Sequence, residues 1–390
     1  MKKRILSLLT AVCLMLSLAP AALAVDAVTD LQTAIDAVEA GGTVTLTGDV
    51  TLTGSLTIDK AVTIDGTAAK YAITYNGASA AAAAFNITTN DQVTLENLVL
   101  NAKNINGRGI KLSGTSPKFT FENSTMNVGD RGIWVDTNGC DAASVITVSN
   151  SVIQNSRLPV GKTYDNWASC NDTRGISLWD LNDSEVNITD SSILGFGYTI
   201  NLAGTPNTSG TRDFNNTAVN VTGSTLKGWA AINVWSINTT YNITASDLVG
   251  VNVAASGQNG FSTIVLNNGI YGSEMQKDNV FNITDGSIEA YYYGGSENIH
   301  ETLIQVEAEG QTKFNFAIDA ELEIPMQVND ATYGVFVTAT PGMSDAALAG
   351  WFANNVTGWG VVVSNVPAYV GYTNRSVQKP YIPHEGGMIG

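Results

Sequence analysis

Seven stretches of the chain repeat one pattern of apolar and polar positions. VTLENLVL (93–100), FTFENSTM (119–126), ITVSNSVI (146–153), VNITDSSI (186–193), VNVTGSTL (219–226), YNITASDL (241–248) and FNITDGSI (281–288) each open apolar–polar–apolar. That alternation has the period of a strand with one buried face. A corner residue follows (Asn, Asp, Gly or Ala), usually with Ser or another small residue behind it. Asn, Asp and Gly tolerate the left-handed backbone of a sharp bend, so the pattern predicts a bend at a fixed point of most copies. An apolar residue then closes every copy: Leu100, Met126, Ile153, Ile193, Leu226, Leu248 and Ile288. One supersecondary unit is written seven times, at spacings that vary because loops of different length intervene.

A second strand recurs downstream of most corners: GIKLSG (109–114), GIWVDT (132–137), GISLWD (175–180), TINLAG (199–204), AINVWS (231–236) and VNVAAS (251–256). Its alternation puts Ile110, Ile133, Ile176, Ile200 and Ile232 on an inner face. Short strands with corners between them, packing only against the neighbouring copies, describe a solenoid. The expected fold is therefore an all-β parallel β-helix with a narrow apolar core. At the outward position of the first strand stand Thr94, Thr120, Thr147, Asn187, Asn220, Asn242, Asn282 and Asn315. Identical amides stacked at strand spacing can hydrogen-bond along the pile. The four N-I-T triplets at Asn86, Asn187, Asn242 and Asn282 are read as rungs of such a ladder before they are read as glycosylation sequons.

LQTAIDAVEAGGTVTLTGDVTLTGSLTIDKAVTIDG (31–66) resembles the entry segment of exported bacterial right-handed β-helix proteins of the pectate-lyase-like superfamily. The resemblance implies a right-handed coil whose open end is capped by a short helix, with a Gly-Gly turn leading into the first strands. Asp30 suits the cap of that helix, and Leu31, Ile35 and Val38 give it an apolar stripe. The implied organisation is a β-helix with its N-terminal cap over residues 25–340. A C-terminal cap over 341–373 and a loose tail over 374–390 complete it. The cap is expected from the helix-like SDAALAGWFANNV (344–356) and from GWGVVVSNVPAYVGY (358–372), since a bare solenoid end exposes core and strand edges. This fold hosts lyases, hydrolases, adhesins and phage tailspikes alike, so it does not choose a function.

Residues 1–24 read as a secretory signal: Lys2, Lys3 and Arg4, an apolar run from Ile5 to Leu18, and Ala22-Leu23-Ala24 as the cleavage site. No later segment reaches about 18 unbroken apolar residues, so no transmembrane segment is expected. The chain is placed outside the cell or at its surface. Removing the signal takes three of the 19 basic residues and none of the 35 acidic ones, which moves the net charge from −16 to −19. Nucleic acid and anionic membrane are poor partners for such a chain. An extracellular glycan or a host or cell-surface protein remains, met by a monomer. No cofactor is required, although calcium would let an anionic polysaccharide approach. Only Cys140 and Cys170 outlast processing. In an exported chain they read as one disulfide, contributing roughly 3–4 kcal/mol in the chain-entropy model, with two buried free thiols as the alternative.

The densest polar stretch is GDRGIWVD (129–136). Arg131-Gly132-Ile133 has counterparts in Arg108-Gly109-Ile110 and Arg174-Gly175-Ile176, with Asp130 and Asp172 close by. The plain reading is a guanidinium–carboxylate ladder closing a corner. The catalytic reading takes Arg131 or Arg174 as base or substrate clamp, Asp130 and Asp172 as acids, and Asp130, Asp136, Asp172 and Asp180 as calcium ligands. Lyases of the resembled superfamily use calcium-holding acids and an arginine base. Polygalacturonase-like hydrolases use an N-T-D, D-D and G-H-G set; neither that pair of acids nor a G-H-G occurs here, and His300 and His384 stand apart from the arginines. A binding reading rests on aromatics. Trp179 and Trp235 share one outward register with Ala203 between them, and Trp134 lies one outward position earlier. The insertion SRLPVGKTYDNWASCNDT (156–173) adds Tyr164 and Trp167 beside this face. The alternative is that loops cover these rings. Threonines at 43, 45, 47, 51, 53 and 57 also form T-x-T runs of the kind an ice-binding face would need, but they stay within the first coils. The binding reading, adhesin-like, ranks first; a polysaccharide lyase or glycoside hydrolase is the alternative.

Overall fold

The computed structural model describes residues 22–25, 31–77, 82–135, 143–157, 172–203, 216–253, 263–266, 278–293, 304–306, 312–316, 322–323, 326–328, 331–333, 337–339, 353–357 and 372–374. Cys140, Cys170, Asp136, Tyr164, Trp167, His300 and His384 lie outside them.

Helix α1 (Leu31–Ala37) buries Leu31, Ala34 and Ile35, and Val38 just beyond it is buried too. From Gly42 onward the chain coils, and each coil contributes strands to three stacks. Sheet A includes Gly42–Leu46, Val62–Asp65, Gln92–Glu96, Lys118–Glu122, Val145–Ser149, Glu185–Thr189 and Thr217–Thr222. Sheet B includes Ala72–Tyr75, Val99–Ala102, Thr125–Val128 and Val152–Asn155. Sheet C includes Ala83–Ile87, Arg108–Leu112, Arg131–Val135 and Arg174–Trp179. Among the described residues neighbouring coils pair in parallel, apart from an antiparallel pairing of Met326–Val328 with Ala331–Tyr333. This is a parallel β-helix. At one end Ala22–Val25 pairs with Thr43–Leu46 across the expected cleavage site. At the other, Val356–Thr357 joins sheet A and Tyr372–Asn374 joins sheet C. Both of these pairings are parallel.

The column of outward residues lies in register as expected. Thr94, Thr120, Thr147, Asn187, Asn220, Asn242, Asn282 and Asn315 are successive partners in sheet A. From Asn187 on, the amides form a chain: Asn220 Nδ2 donates to Asn187 Oδ1 at 2.8 Å, Asn242 to Asn220 at 2.9 Å, Asn282 to Asn242 at 2.9 Å, and Asn315 to Asn282 at 3.0 Å. Inside, Ile110, Ile133, Ile176, Ile200 and Ile232 form one fully buried stack. Tyr241, Phe281 and Phe314 continue the core as stacked rings, with centroids 4.2 and 4.7 Å apart.

The corners between sheets A and B are left-handed at Asn97, Asn123, Asn150, Asp190, Gly223, Ala245 and Asp285, with φ between 45 and 60°. The serine behind the corner has a distinct job. Ser124, Ser151, Ser191, Ser224 and Ser246 are buried, and each hydroxyl accepts the N–H of the corresponding residue one coil earlier at 3.0–3.1 Å. Each also donates to the carbonyl two residues before it at 2.6–2.8 Å. Backbone groups that the bend would orphan are satisfied this way.

Candidate functional site

The glycine of each R-G-I motif explains why the motif recurs. A Cβ on Gly132 would come within 2.5 Å of the Gly175 carbonyl, and one on Gly175 within 2.5 Å of the Ile193 side chain. That close packing holds Arg108, Arg131 and Arg174 in one register, with Tyr198 at the next rung.

Asp130 closes the column. Its Oδ2 accepts from Arg108 Nε at 2.6 Å and from Arg131 Nη1 at 2.8 Å. Arg174 instead lies 4.1 Å over the Tyr198 ring and donates to the Thr173 carbonyl. Asp172 is exposed and accepts from Arg157 at 2.7 Å, while Arg157 also donates to the Ile105 carbonyl at 2.6 Å. The two carboxylates therefore serve different arginines, and Arg157, which carries no repeat signal, was not legible beforehand. Burial pulls the Arg131 guanidinium below its ordinary pKa, with Asp130 pushing it back up. Burial likewise lowers Arg174, against the influence of Tyr198.

The indoles divide into two kinds. Trp134 is only 8% exposed, with Arg108 4.5 Å, Lys111 4.7 Å and Arg131 6.0 Å from its ring centroid. Cation–π contacts of this sort fix a ring rather than present it to solvent. Trp179 and Trp235 share an outward column with Ala203 between them, and both are half-buried. Their ring centroids stand 6.3 Å apart at 72°, so one ring meets the other edge-on. In the neighbouring column Ser177, Asn201 and Asn233 point outward yet are buried, and Asn233 Nδ2 donates to Asn201 Oδ1 at 2.7 Å. The middle rungs of sheet C are thus covered, and among the described residues of sheet C the accessible indoles are Trp179 and Trp235.

Of the four calcium candidates, Asp130, Asp172 and Asp180 are described. Asp130 is engaged by two arginines and Asp172 by a third, while Asp180 is buried at a left-handed bend. Among the described residues no group of three or more His, Cys, Asp or Glu could hold a metal ion. Nor, among the described residues, is any helix long and apolar enough to cross a membrane.

Compared with known proteins, the chain matches no family model, no curated protein and no solved structure. It is a parallel β-helix protein on its own evidence.

Proposed function

We propose that this chain is an exported β-helix protein of the bacterial, pectate-lyase-like kind that binds an extracellular glycan or surface partner, in an adhesin-like role. The observation that carries the reading is the pair of half-buried indoles, Trp179 and Trp235, on one outward column of a rigid sheet. Two rings at a steep angle with alanine between them form a corner in which the apolar face of a pyranose can stack on one ring and abut the other. The leader-like residues 1–24 support export, and the acidic chain favours neutral glycan or protein over nucleic acid.

The test is retention on immobilised neutral and acidic polysaccharides, with the soluble fraction assayed for released oligosaccharide. Retention without product, lost at least tenfold in Trp179→Ala, is the expected outcome. Undiminished retention of Trp179→Ala on every glycan that the parent binds removes the indole face from consideration. A second reading, a polysaccharide lyase or glycoside hydrolase, is favoured by the lowered pKa of the half-buried, stacked Arg131 and Arg174, the direction an arginine base requires. Unsaturated product in the same assay selects the lyase.

A further inference from the structure

A recess lies on sheet B. Thr74, Tyr75, Asn76, Asn101, Lys103 and Asn104 line a cavity of about 210 Å³. Asn101 heads a short amide column. Gln154 Nε2 donates to Asn127 Oδ1 at 2.5 Å, and Asn127 Nδ2 donates to Asn101 Oδ1 at 2.9 Å. The preceding rung offers Thr74 in place of another amide. Asn101 Nδ2 is therefore left over at the end of the column, half-buried and at the wall of the cavity. Tyr75 is 3% exposed and packs against Gly77, where a Cβ would collide with the phenol. Asn104 Nδ2 ties the far wall to the Asn76 and Gly77 carbonyls at 3.3 Å each. Lys103 is exposed, and it is the one charged side chain among these six, on a chain whose net charge is −16.

We propose that this recess takes one sugar ring bearing an anionic substituent, a carboxylate or a sulfate ester. Lys103 and the unspent N–H groups of Asn101 donate to the anion. The hydroxyl of Thr74 and the side-chain amide of Asn76 meet the ring hydroxyls, over a floor that the core residue Tyr75 supports from beneath. Several donors and acceptors with a single cation match a polyhydroxylated ring with one negative charge. The cavity falls below the roughly 300–1,000 Å³ of sites for larger ligands, so a single ring is the unit it suits. Affinity for one ring is expected to be about millimolar. The inference shares its ligand class with the glycan reading above but not its surface, so each can fail alone.

The experiment is ligand-observed NMR titration of the full chain with N-acetylneuraminate as carboxylate probe, galactose 6-sulfate as sulfate probe and galactose as neutral control. At least one acidic probe is expected to bind, with galactose at least tenfold weaker. Lys103→Met and Asn101→Ala should each weaken that binding at least tenfold, and Trp179→Ala should leave it unchanged. Binding of one acidic probe and not the other identifies the anion. Lys103 is exposed, so Lys103→Met should keep the parental melting temperature even if Asn101→Ala does not. Four results overturn the proposal: no acidic probe bound at about 50 mM, galactose bound equally well, Lys103→Met binding undiminished, or binding lost in Trp179→Ala.

Discussion

Ala245 is out of character among the corner residues. It sits at φ 47°, where the other coils place Asn, Asp or Gly. An L-residue with a Cβ and no local hydrogen-bonding side chain pays about 1–2 kcal/mol for that conformation. Ala245 is exposed, so Ala245→Asn should stabilise the protein by about 0.5–1 kcal/mol, read as a higher midpoint in urea. A different correction is open at Glu96. It stacks between Asp65 and Glu122 in sheet A, and burial first, then these two carboxylates, raises its carboxyl above the ordinary 4.5. A raised folded pKa means that the fold holds the proton more tightly than the unfolded chain does. The stability it contributes is present at low pH and is lost as pH rises through the window above 4.5. Glu96→Gln should therefore raise the melting temperature slightly at pH 7, with the difference from the parent vanishing toward pH 4. Corner positions were legible in the sequence, since Asn, Asp and Gly announce a bend. The carboxylate stack of Asp65, Glu96 and Glu122 emerges only from the register of the coils. The arginine partners were only half legible: Asp130 neighbours Arg131 in the chain, whereas Arg157 reaches Asp172 across an insertion whose path no periodicity dictates.

The strands were legible because period-2 alternation and a narrow core leave few registers open; a slip of one residue would turn every isoleucine of the inner stack outward. The serine behind the corner was visible only as a recurrence. Its role depends on the rise from one coil to the next, which places its hydroxyl against a neighbour's N–H and not its own. Ser191→Ala should leave the buried N–H of Ser151 without an acceptor, costing about 1–3 kcal/mol in a chemical denaturation series. Asn242→Leu should cost less, about 1 kcal/mol, because the amide column is half-buried and water can replace its bonds. What sequence could not show was that the outward Ser177, Asn201 and Asn233 are covered, since alternation marks only which way a side chain points.

A solenoid holds together coil by coil, so damage in the middle severs both halves from their neighbours. Ile176→Asp would set an unpaired charge in the fully buried isoleucine stack and should abolish the cooperative melting transition altogether. The coils are not interchangeable end for end, however. In the sheet A ladder each amide from Asn220 to Asn315 gives its hydrogen to the coil before it and its oxygen to the coil after it. The column is thus a one-way street, like a row of magnets laid pole to pole. Two such columns brought together head to head would set hydrogen against hydrogen; only a head-to-tail partner could prolong the row. In this chain the last amide oxygen, on Asn315, is taken at 2.9 Å by the hydroxyl of Thr357. Threonine supplies a hydrogen but no amide to pass the pattern on, and the row that four asparagines extend stops at that terminator.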